Sequence, residues 1–187
     1  MMPQLKVLLI RPKYYSLVAN LEPLGLEYLA GLCRDMHIEC EILDEFQHGW
    51  LFRYDRLKRT IAKGGYNFIG FNANANTVDY IKKRAAEVKK DFPNVTIMVG
   101  GPEAELNYAD FCTDSIDLVY YDNGLQTLKN MFEANLDISA LEKQNGIAFK
   151  KDGKWILREK GAPVSGFIVK PDRTAFYQGL KHNYIFM

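Results

Sequence analysis

Five times in succession, a short apolar run is followed by residues with helical periodicity. Each run has the length of a buried strand, and each helical pattern is long enough for two or more turns. Strands that alternate with helices over short connections form a parallel sheet covered by helices on both faces. The apolar runs span residues 5–10, 38–43, 66–71, 95–99 and 116–121, and the helical patterns span residues 21–36, 51–61, 78–92, 103–111 and 124–133. The sequence therefore predicts an α/β fold with a five-stranded parallel sheet.

The composition of the chain excludes several classes of function. The chain has 187 residues, enough for one domain with a sizeable core, and its formal charge of +1 comes with scattered lysines and arginines rather than a basic patch for nucleic acid. No apolar run approaches the roughly 20 residues needed to cross a bilayer, and no signal-peptide pattern precedes the first strand. Three cysteines without CxxC spacing indicate buried thiols rather than disulfides or a zinc site. We expect a soluble, cytoplasmic protein with no nucleic-acid or membrane partner.

The ends of the third and fourth predicted strands hold the most informative residues. The fourth strand runs into Gly100-Gly101-Pro102, and the third runs into Asn72-Ala73-Asn74. In a flavodoxin-like (Rossmann-like) strand order these two strands are neighbours, and ligands bind beyond their carboxyl ends at the topological switch point. Their loops would flank a slot there. The simpler alternative is that Gly100-Gly101 only turns the chain.

The chain after residue 135 follows a different pattern. Residues Gly146–Leu157 predict a β-hairpin with Asp152-Gly153 in its turn. From Gly161 onward, prolines interrupt the sequence and no period is sustained, which indicates a linker rather than a core element. We therefore divide the chain into an α/β domain over residues 1–135, a hairpin extension over residues 136–160 and a linker over residues 161–187.

Several common catalytic patterns do not occur in the sequence. It contains no GxxxxGKS/T phosphate loop, and no GxGxxG follows the first strand. The loop after that strand, Arg11–Tyr15, lacks the acidic cluster of a receiver domain. His37, His48 and His182 are far apart and have no partner at metal-ligand spacing, and no Ser or Cys lies on a nucleophile elbow. We therefore predict neither a self-contained catalytic site nor a protein metal site.

A resemblance to a known family connects these features. The segments 22–30, 42–44, 69–72 and 98–102 resemble, in order and spacing, the N-terminal cobalamin-binding domain of radical S-adenosylmethionine proteins. The resemblance covers essentially the whole chain and extends to Lys170–Arg173, which is similar to the linker before the family's radical domain. It implies that cobalamin is the cofactor of this chain.

The resemblance also implies what lies outside the chain. The CxxxCxxC motif that holds the family's iron–sulfur cluster does not occur in the sequence. We therefore expect a non-catalytic fragment of a cobalamin-dependent radical S-adenosylmethionine enzyme, either a methyltransferase or an oxidoreductase or cyclase. A radical domain in cis, beyond Met187, would carry the 4Fe–4S cluster and bind S-adenosylmethionine.

The family pattern assigns candidate cofactor contacts to four strand ends. They are Asp44, Glu45 and Phe46 after the second strand, Asn72, Ala73 and Asn74 after the third, Gly100, Gly101, Pro102 and Glu103 after the fourth, and Asn123 and Gly124 after the fifth. The family's DxHxxG motif, whose histidine ligates cobalt in domains of the methionine synthase type, here has Phe46 at the histidine position and His48 two residues later. We therefore expect cobalamin to bind without a protein histidine ligand.

The long, phosphate-bearing nucleotide tail of cobalamin suggests individual roles. Gly100 and Gly101 would leave room for the tail and offer backbone N–H groups to its oxygens, and Asn72 would hydrogen-bond it. Asp44 to Phe46 would lie under the corrin ring, with Tyr14, Tyr15 and Glu103 at the rim. We expect a bulky residue at either glycine to exclude the cofactor while the domain still folds.

Two other hypotheses remain open. The departures from the family pattern at Phe46 and Asn74 also fit a flavodoxin-like structural or interaction domain that has lost cofactor binding. A flavin or nucleotide carrier on the same fold is a third hypothesis. It has less support, because no Ser/Thr-rich phosphate loop follows the first strand.

Overall fold

The fold is built around five parallel strands in the order β2-β1-β3-β4-β5. The computed structural model describes residues 4–14, 21–48, 53–122, 125–161 and 168–177. The parallel strands are β1 (Lys6–Arg11), β2 (Glu39–Asp44), β3 (Phe68–Asn72), β4 (Thr96–Gly100) and β5 (Leu118–Tyr120). Their order is that of flavodoxin-like sheets, so the predicted fold class is confirmed.

Helices cover both faces of this sheet, as the alternating pattern predicts. They are α1 (Leu24–Asp35), α2 (Glu45–His48), α3 (Tyr54–Gly64), α4 (Val78–Asp91), α5 (Pro102–Asn107), α6 (Leu125–Glu133) and α7 (Ile138–Leu141), with short 3-10 turns at Ala75–Thr77 and Tyr108–Phe111. Successive side chains of a strand point to opposite faces, and the core is divided accordingly. Helices α1 and α6 pack on the face that carries Leu9 and Met98, whereas α3 and α4 pack on the face that carries Leu8 and Val99.

The predicted hairpin is confirmed, and it extends the same sheet. Strands β6 (Ile147–Lys151) and β7 (Lys154–Leu157) are antiparallel, and β6 pairs with β5. The sheet therefore has seven strands rather than the five predicted. Asp152 and Gly153 have φ values of 51° and 74°, as the predicted two-residue turn requires. The alternating pattern of a hairpin does not specify its outer partner, which is why the sequence left this pairing undetermined.

The described part of the C-terminal tail, residues 168–177, contributes to the core. Val169 and Phe176 are buried among residues of α1 and β2, and the Ile42 N–H donates to the Ala175 carbonyl at 2.7 Å. Phe176 forms a parallel bridge with Ile42, so the tail covers the outer edge of β2. The prediction that this tail holds no core element is wrong. Isolated buried residues without a period leave no signal in the sequence.

The described residues also test two expectations from composition. None of their helices is long and apolar enough to cross a membrane. All three cysteines are free thiols; Cys33 is buried, whereas Cys40 and Cys112 are partly exposed.

Candidate functional site

A cavity of about 350 Å³ lies at the carboxyl ends of the parallel strands, against helices α1 and α6. Its floor is made of alternate strand residues that share one face of the sheet, namely Leu9, Gly70, Asn72, Met98, Gly100 and Tyr120. Its walls include Gly25, Leu26 and Leu29 of α1 and Leu125 and Leu128 of α6. This is the edge at which open α/β sheets bind their ligands.

Glycines on neighbouring strands open the floor of the cavity. Gly70 lies in register with Leu9 on one side and Met98 on the other. A Cβ atom at Gly70 would come within 3.0 Å of the Leu9 side chain, and one at Gly100 would lie 3.6 Å from the Tyr120 carbonyl. A glycine inside a strand weakens it and often marks close approach by a ligand or backbone. Larger residues at these two positions would occupy the cavity.

Polar groups at the strand ends complement the apolar floor and walls. The cavity lining includes Asn72, Glu105 and Asp122 among leucines, methionine and aromatic residues. The Asn72 side-chain amide forms no hydrogen bond with any residue that the structure describes. Glu105 pairs with Lys160 at 3.2 Å. An apolar slot with a few polar groups suits an elongated ligand that has an apolar ring and a polar chain.

Gly100, the last residue of β4, and Gly101, which follows it, have different roles. Gly101 has a φ of 103°, and a Cβ atom there would lie 2.7 Å from the Ala73 carbonyl oxygen and 2.9 Å from the Ala73 nitrogen. The loops are joined by hydrogen bonds from Ala73 N–H to the Gly100 carbonyl at 2.6 Å and from Glu103 N–H to the Ala73 carbonyl at 3.2 Å. Gly101 is therefore required by the turn itself, whereas Gly100 has space beside it.

The predicted corrin-side residues lie at the end of β2, away from the cavity lining. The Asp44 carboxylate is buried and pairs with the Arg11 guanidinium at 3.3 Å. That guanidinium lies 4.4 Å from the centroid of the Phe46 ring, and the Tyr14 ring centroid is 4.7 Å from the same ring. Cation–π and aromatic contacts thus fix the residue that occupies the histidine position of the DxHxxG pattern.

Glu45, which lies between Asp44 and Phe46 in the sequence, is fully buried. Burial raises the pKa of its carboxyl group to about 7, against the opposing effects of the Tyr80 hydroxyl, the Arg84 guanidinium and Lys13. Tyr80 and Arg84 are neighbours on α4, where the Arg84 Nε donates to the Tyr80 hydroxyl at 2.9 Å. Glu45, the first residue of α2, is therefore buried near Tyr80 and Arg84 of α4, and its pKa is raised because burial disfavours its charged form.

The remaining predicted contacts have mixed positions. Pro102 lines the cavity, whereas Ala73 is buried and is not part of the lining. The Asn74 side chain accepts a hydrogen bond from Asn76 N–H at 3.1 Å and caps the 3-10 turn, and the Glu103 carboxylate accepts one from the Asn107 side chain at 2.7 Å. Tyr15, Asn123 and Gly124, together with the His48 side chain, lie outside the described residues.

Sequence reasoning missed several residues of the cavity. They are Leu9, Gly25, Leu26, Leu29, Gly70, Phe71, Met98, Glu105, Tyr120, Asp122, Leu125 and Leu128. Two of them left a usable signal: Gly70 interrupts a strand pattern, and Gly25 interrupts a helical one. The described part of the chain holds no cluster of His, Cys, Asp or Glu that could bind a metal ion.

Comparison with known proteins identifies similar sequences and folds. A family model for the B12 binding domain matches residues 16–131. No curated protein matches the sequence. A similar solved structure is the radical S-adenosylmethionine methyltransferase TsrM from Kitasatospora setae with cobalamin and a 4Fe–4S cluster bound, at a TM-score of 0.68 and 15% identity, covering 90% of this chain and 31% of that one.

A second structure of TsrM, with its tryptophan substrate and the S-adenosylmethionine analogue aza-SAM bound, matches at a TM-score of 0.65 and 15% identity. It covers 82% of this chain and 30% of the TsrM chain. At this identity the likeness is one of fold. The chain spans about a third of the length of the enzyme that it resembles.

Proposed function

Because the chain belongs to the B12-binding domain family, we propose that it binds cobalamin with the nucleotide tail in the cavity beneath α1 and α6. The observation that carries this proposal is the cavity floor, where Gly70 and Gly100 leave space next to the Asn72 amide, which bonds to none of the described residues. When bound, cobalamin supplies a cobalt centre able to carry a methyl group. This chain's own residues bind and orient the cofactor.

The cavity suits the chemistry of the tail. Its volume of about 350 Å³ is within the usual range for small-molecule sites. Leu26, Leu128 and Met98 offer apolar contact to an aromatic base. Asn72 can exchange a hydrogen bond with a polar group of the tail, a contact worth about 1 kcal/mol net. Together these contacts favour a ligand with a flat base at one end of a polar chain.

We propose that no protein imidazole ligates cobalt in this site. Phe46 stands at the position of the ligating histidine, and its ring is held between Arg11 and Tyr14. A phenyl ring offers no lone pair to a metal, so this side chain shapes the space below the corrin without ligating cobalt. We propose that Asp44 acts through Arg11 to keep this arrangement in place.

The parent protein is a further part of the proposal. The fold resemblance to TsrM supports a cobalamin-dependent radical S-adenosylmethionine enzyme of the methyltransferase or the oxidoreductase or cyclase type. A radical domain in cis would hold the 4Fe–4S cluster and S-adenosylmethionine. Residues 1–135 would form the cofactor domain, residues 136–160 its hairpin extension, and residues 161–187 the connection to the radical domain.

An interaction domain without cofactor is the second candidate. Two observations favour it: the Asn74 side chain is used for capping a turn, and Phe46 is engaged in a stack. Both residues depart from the family pattern, and both have structural roles that need no ligand.

One experiment separates these functions. The full chain is mixed with hydroxocobalamin and, in parallel, with FMN, then desalted, and the visible spectrum of the protein fraction is recorded. The proposed function predicts that corrin bands co-elute with the protein and flavin bands do not. Co-elution of neither ligand would favour the interaction domain, and co-elution of FMN alone would favour a flavin carrier.

A further inference from the structure

The described C-terminal residues 168–177, here called the strap, pass along one side of α1. Lys170 accepts a hydrogen bond through its carbonyl from the Arg34 guanidinium at 3.3 Å. The Asp172 N–H donates to the Glu27 carbonyl at 2.8 Å, and the Asp172 carboxylate lies 3.9 Å from Arg34. Beyond α1, the strap reaches the edge of β2 through Ala175 and Phe176. It therefore connects the helix to the edge strand of the sheet.

A glycine in α1 admits the strap. Gly31 is buried in the middle of the helix, where glycine is an unfavourable residue. A Cβ atom at this position would overlap the Lys170 carbonyl oxygen and lie 3.1 Å from the Val169 side chain. The missing side chain is explained by the close passage of the strap backbone over the helix.

Arg173 anchors the strap to two acidic side chains. Its guanidinium forms a bidentate pair with the Glu22 carboxylate, at 2.8 Å and 3.0 Å, and lies 3.4 Å from the Glu27 carboxylate. Glu27 is fully buried, and the Glu22 side chain is only 6% exposed. The Arg173 side chain itself is 43% exposed, so water partly screens these pairs. Loss of Arg173 is nevertheless costly, because it removes a cation from beside the buried Glu27 carboxylate.

Helix α1 lies between the strap and the cavity. Helical periodicity places Glu27, Gly31 and Arg34 on one side of α1. The residues that line the cavity, Gly25, Leu26 and Leu29, lie on the opposite side. Any movement of α1 away from the sheet would widen the cavity and strain the strap at the same time.

We propose that the strap is part of the cofactor site and holds α1 in place as the wall of the cavity, with Arg173 as its positioning residue. This inference rests on the proposed binding of cobalamin. Docking of the strap favours the closed position of α1, and a ligand that fits the closed cavity favours docking of the strap. Such coupling is reciprocal, so each event strengthens the other by the same factor.

Binding affinities test one direction of the coupling. The dissociation constant for hydroxocobalamin is measured spectrophotometrically on the full chain and on Arg173→Met, Arg173→Lys and Gly31→Ala. Coupling of ordinary size weakens binding by about fivefold or more in Arg173→Met and Gly31→Ala. Arg173→Lys, which keeps the charge but not the bidentate geometry, should fall between these variants and wild type. Lys83→Met, which removes an exposed cation from α4 on the other face of the sheet, should bind like wild type.

Amide hydrogen exchange tests the other direction on the unmodified chain. The Asp172 N–H bonds to α1, and the Ile42 N–H bonds to the strap. Cobalamin should slow exchange at both amides by about the factor measured for affinity. Since this readout needs no substitution, it decides the matter even where Arg173→Met fails to fold.

The outcomes are distinct. If wild type binds no cobalamin, both the proposed function and the proposed coupling are wrong. If wild type binds cobalamin and exchange at Asp172 and Ile42 is unchanged by the ligand, the strap inference alone is wrong. Slower exchange at both amides, with weaker binding in Gly31→Ala, supports the inference.

Discussion

Asn72 at the end of β3 lies directly opposite Gly100 at the end of β4, and both residues line the cavity. An amide able to donate and accept hydrogen bonds thus stands beside a position without a side chain. Registered strand ends hold the pair rigidly, because each strand is paired on both sides within the sheet. A ligand that enters here meets a side chain whose backbone position is set before binding, which lowers the entropic cost of association.

The first prediction assigns different roles to Gly100, the last residue of β4, and to Gly101, which follows it. Gly100→Val should fold, because its Cβ meets only ordinary contacts and a β-branched residue suits a strand, yet it should lose most of its cobalamin affinity. Gly101→Val should unfold more easily by at least about 1–3 kcal/mol, because its φ of 103° is strained for any other residue and its Cβ would strike the Ala73 backbone. Urea unfolding and hydroxocobalamin titration check both effects.

The sequence alone predicts that the domain folds with a bulky residue at either glycine. The structure limits that prediction to Gly100. A Gly101→Val variant as stable as wild type would contradict the geometry of the turn. A Gly100→Val variant that binds cobalamin normally would contradict the position of the tail.

The second prediction fills the cavity from its helical wall. Gly25 is an exposed residue of α1, and a Cβ atom there meets nothing within 4 Å. Gly25→Phe should therefore keep or slightly raise the free energy of unfolding, because glycine is a poor helix former. Its ring should weaken cobalamin binding about tenfold or more, equivalent to about 1.4 kcal/mol. Thermal unfolding and spectral titration measure the two quantities.

Ala86→Phe is the matched control for this prediction. Ala86 is an exposed residue of α4, on the opposite face of the sheet. The same phenyl group there should leave cobalamin binding unchanged. Equal binding by both phenylalanine variants would place the ligand elsewhere.

The fold could be predicted because the periodicity of the sequence specifies it. The runs around Leu9, Ile69 and Ile97 are uniformly apolar, as in strands buried on both faces, and each is followed by a helical stripe. Contacts that depend on only a few residues could not be predicted from the sequence. The pairing of Ile147 with Tyr120 and the burial of Phe176 depend on where the sheet leaves free edges.

The family match confirms the prediction of a cobalamin-binding domain, whereas the individual cofactor contacts stay predictions. Asn72, Gly100, Gly101 and Pro102 line the cavity. Gly25 was missed because its role depends on how close α1 packs to the sheet, which local sequence does not encode. The placement of cofactor around Asp44, Glu45 and Phe46 remains a prediction.

The third prediction concerns pH. Burial raises the pKa of Glu45 from an ordinary value of about 4.5 to about 7. Between these values the folded chain holds a proton that the unfolded chain has lost, so stability is highest below this window and falls as the pH rises through it. Relative to Glu45→Gln, wild type should lose up to about 1.4 kcal/mol per pH unit across the window.

Urea unfolding at intervals between pH 5 and pH 8 measures this effect. Glu39→Gln, the same change at an exposed glutamate, provides the background slope. Parallel stability profiles for wild type and Glu45→Gln would show that Glu45 does not titrate in this range.

The fourth prediction tests the absence of a histidine ligand. If cobalt has no protein imidazole, His48→Ala should leave the visible spectrum of bound cobalamin unchanged. His37→Ala, at an exposed histidine, sets the background. A shift of the corrin bands in His48→Ala alone would identify His48 as a ligand, despite Phe46 at the family's position.

Cobinamide has the corrin ring of cobalamin but no nucleotide tail, so it isolates the contribution of the cavity. Titration of the full chain with both compounds should show that cobalamin binds at least about tenfold more tightly, a difference of about 1.4 kcal/mol. Gly25→Phe should abolish this preference while binding cobinamide as wild type does. Equal affinities of wild type for cobalamin and cobinamide would show that the tail does not occupy the cavity between α1, α6 and the sheet.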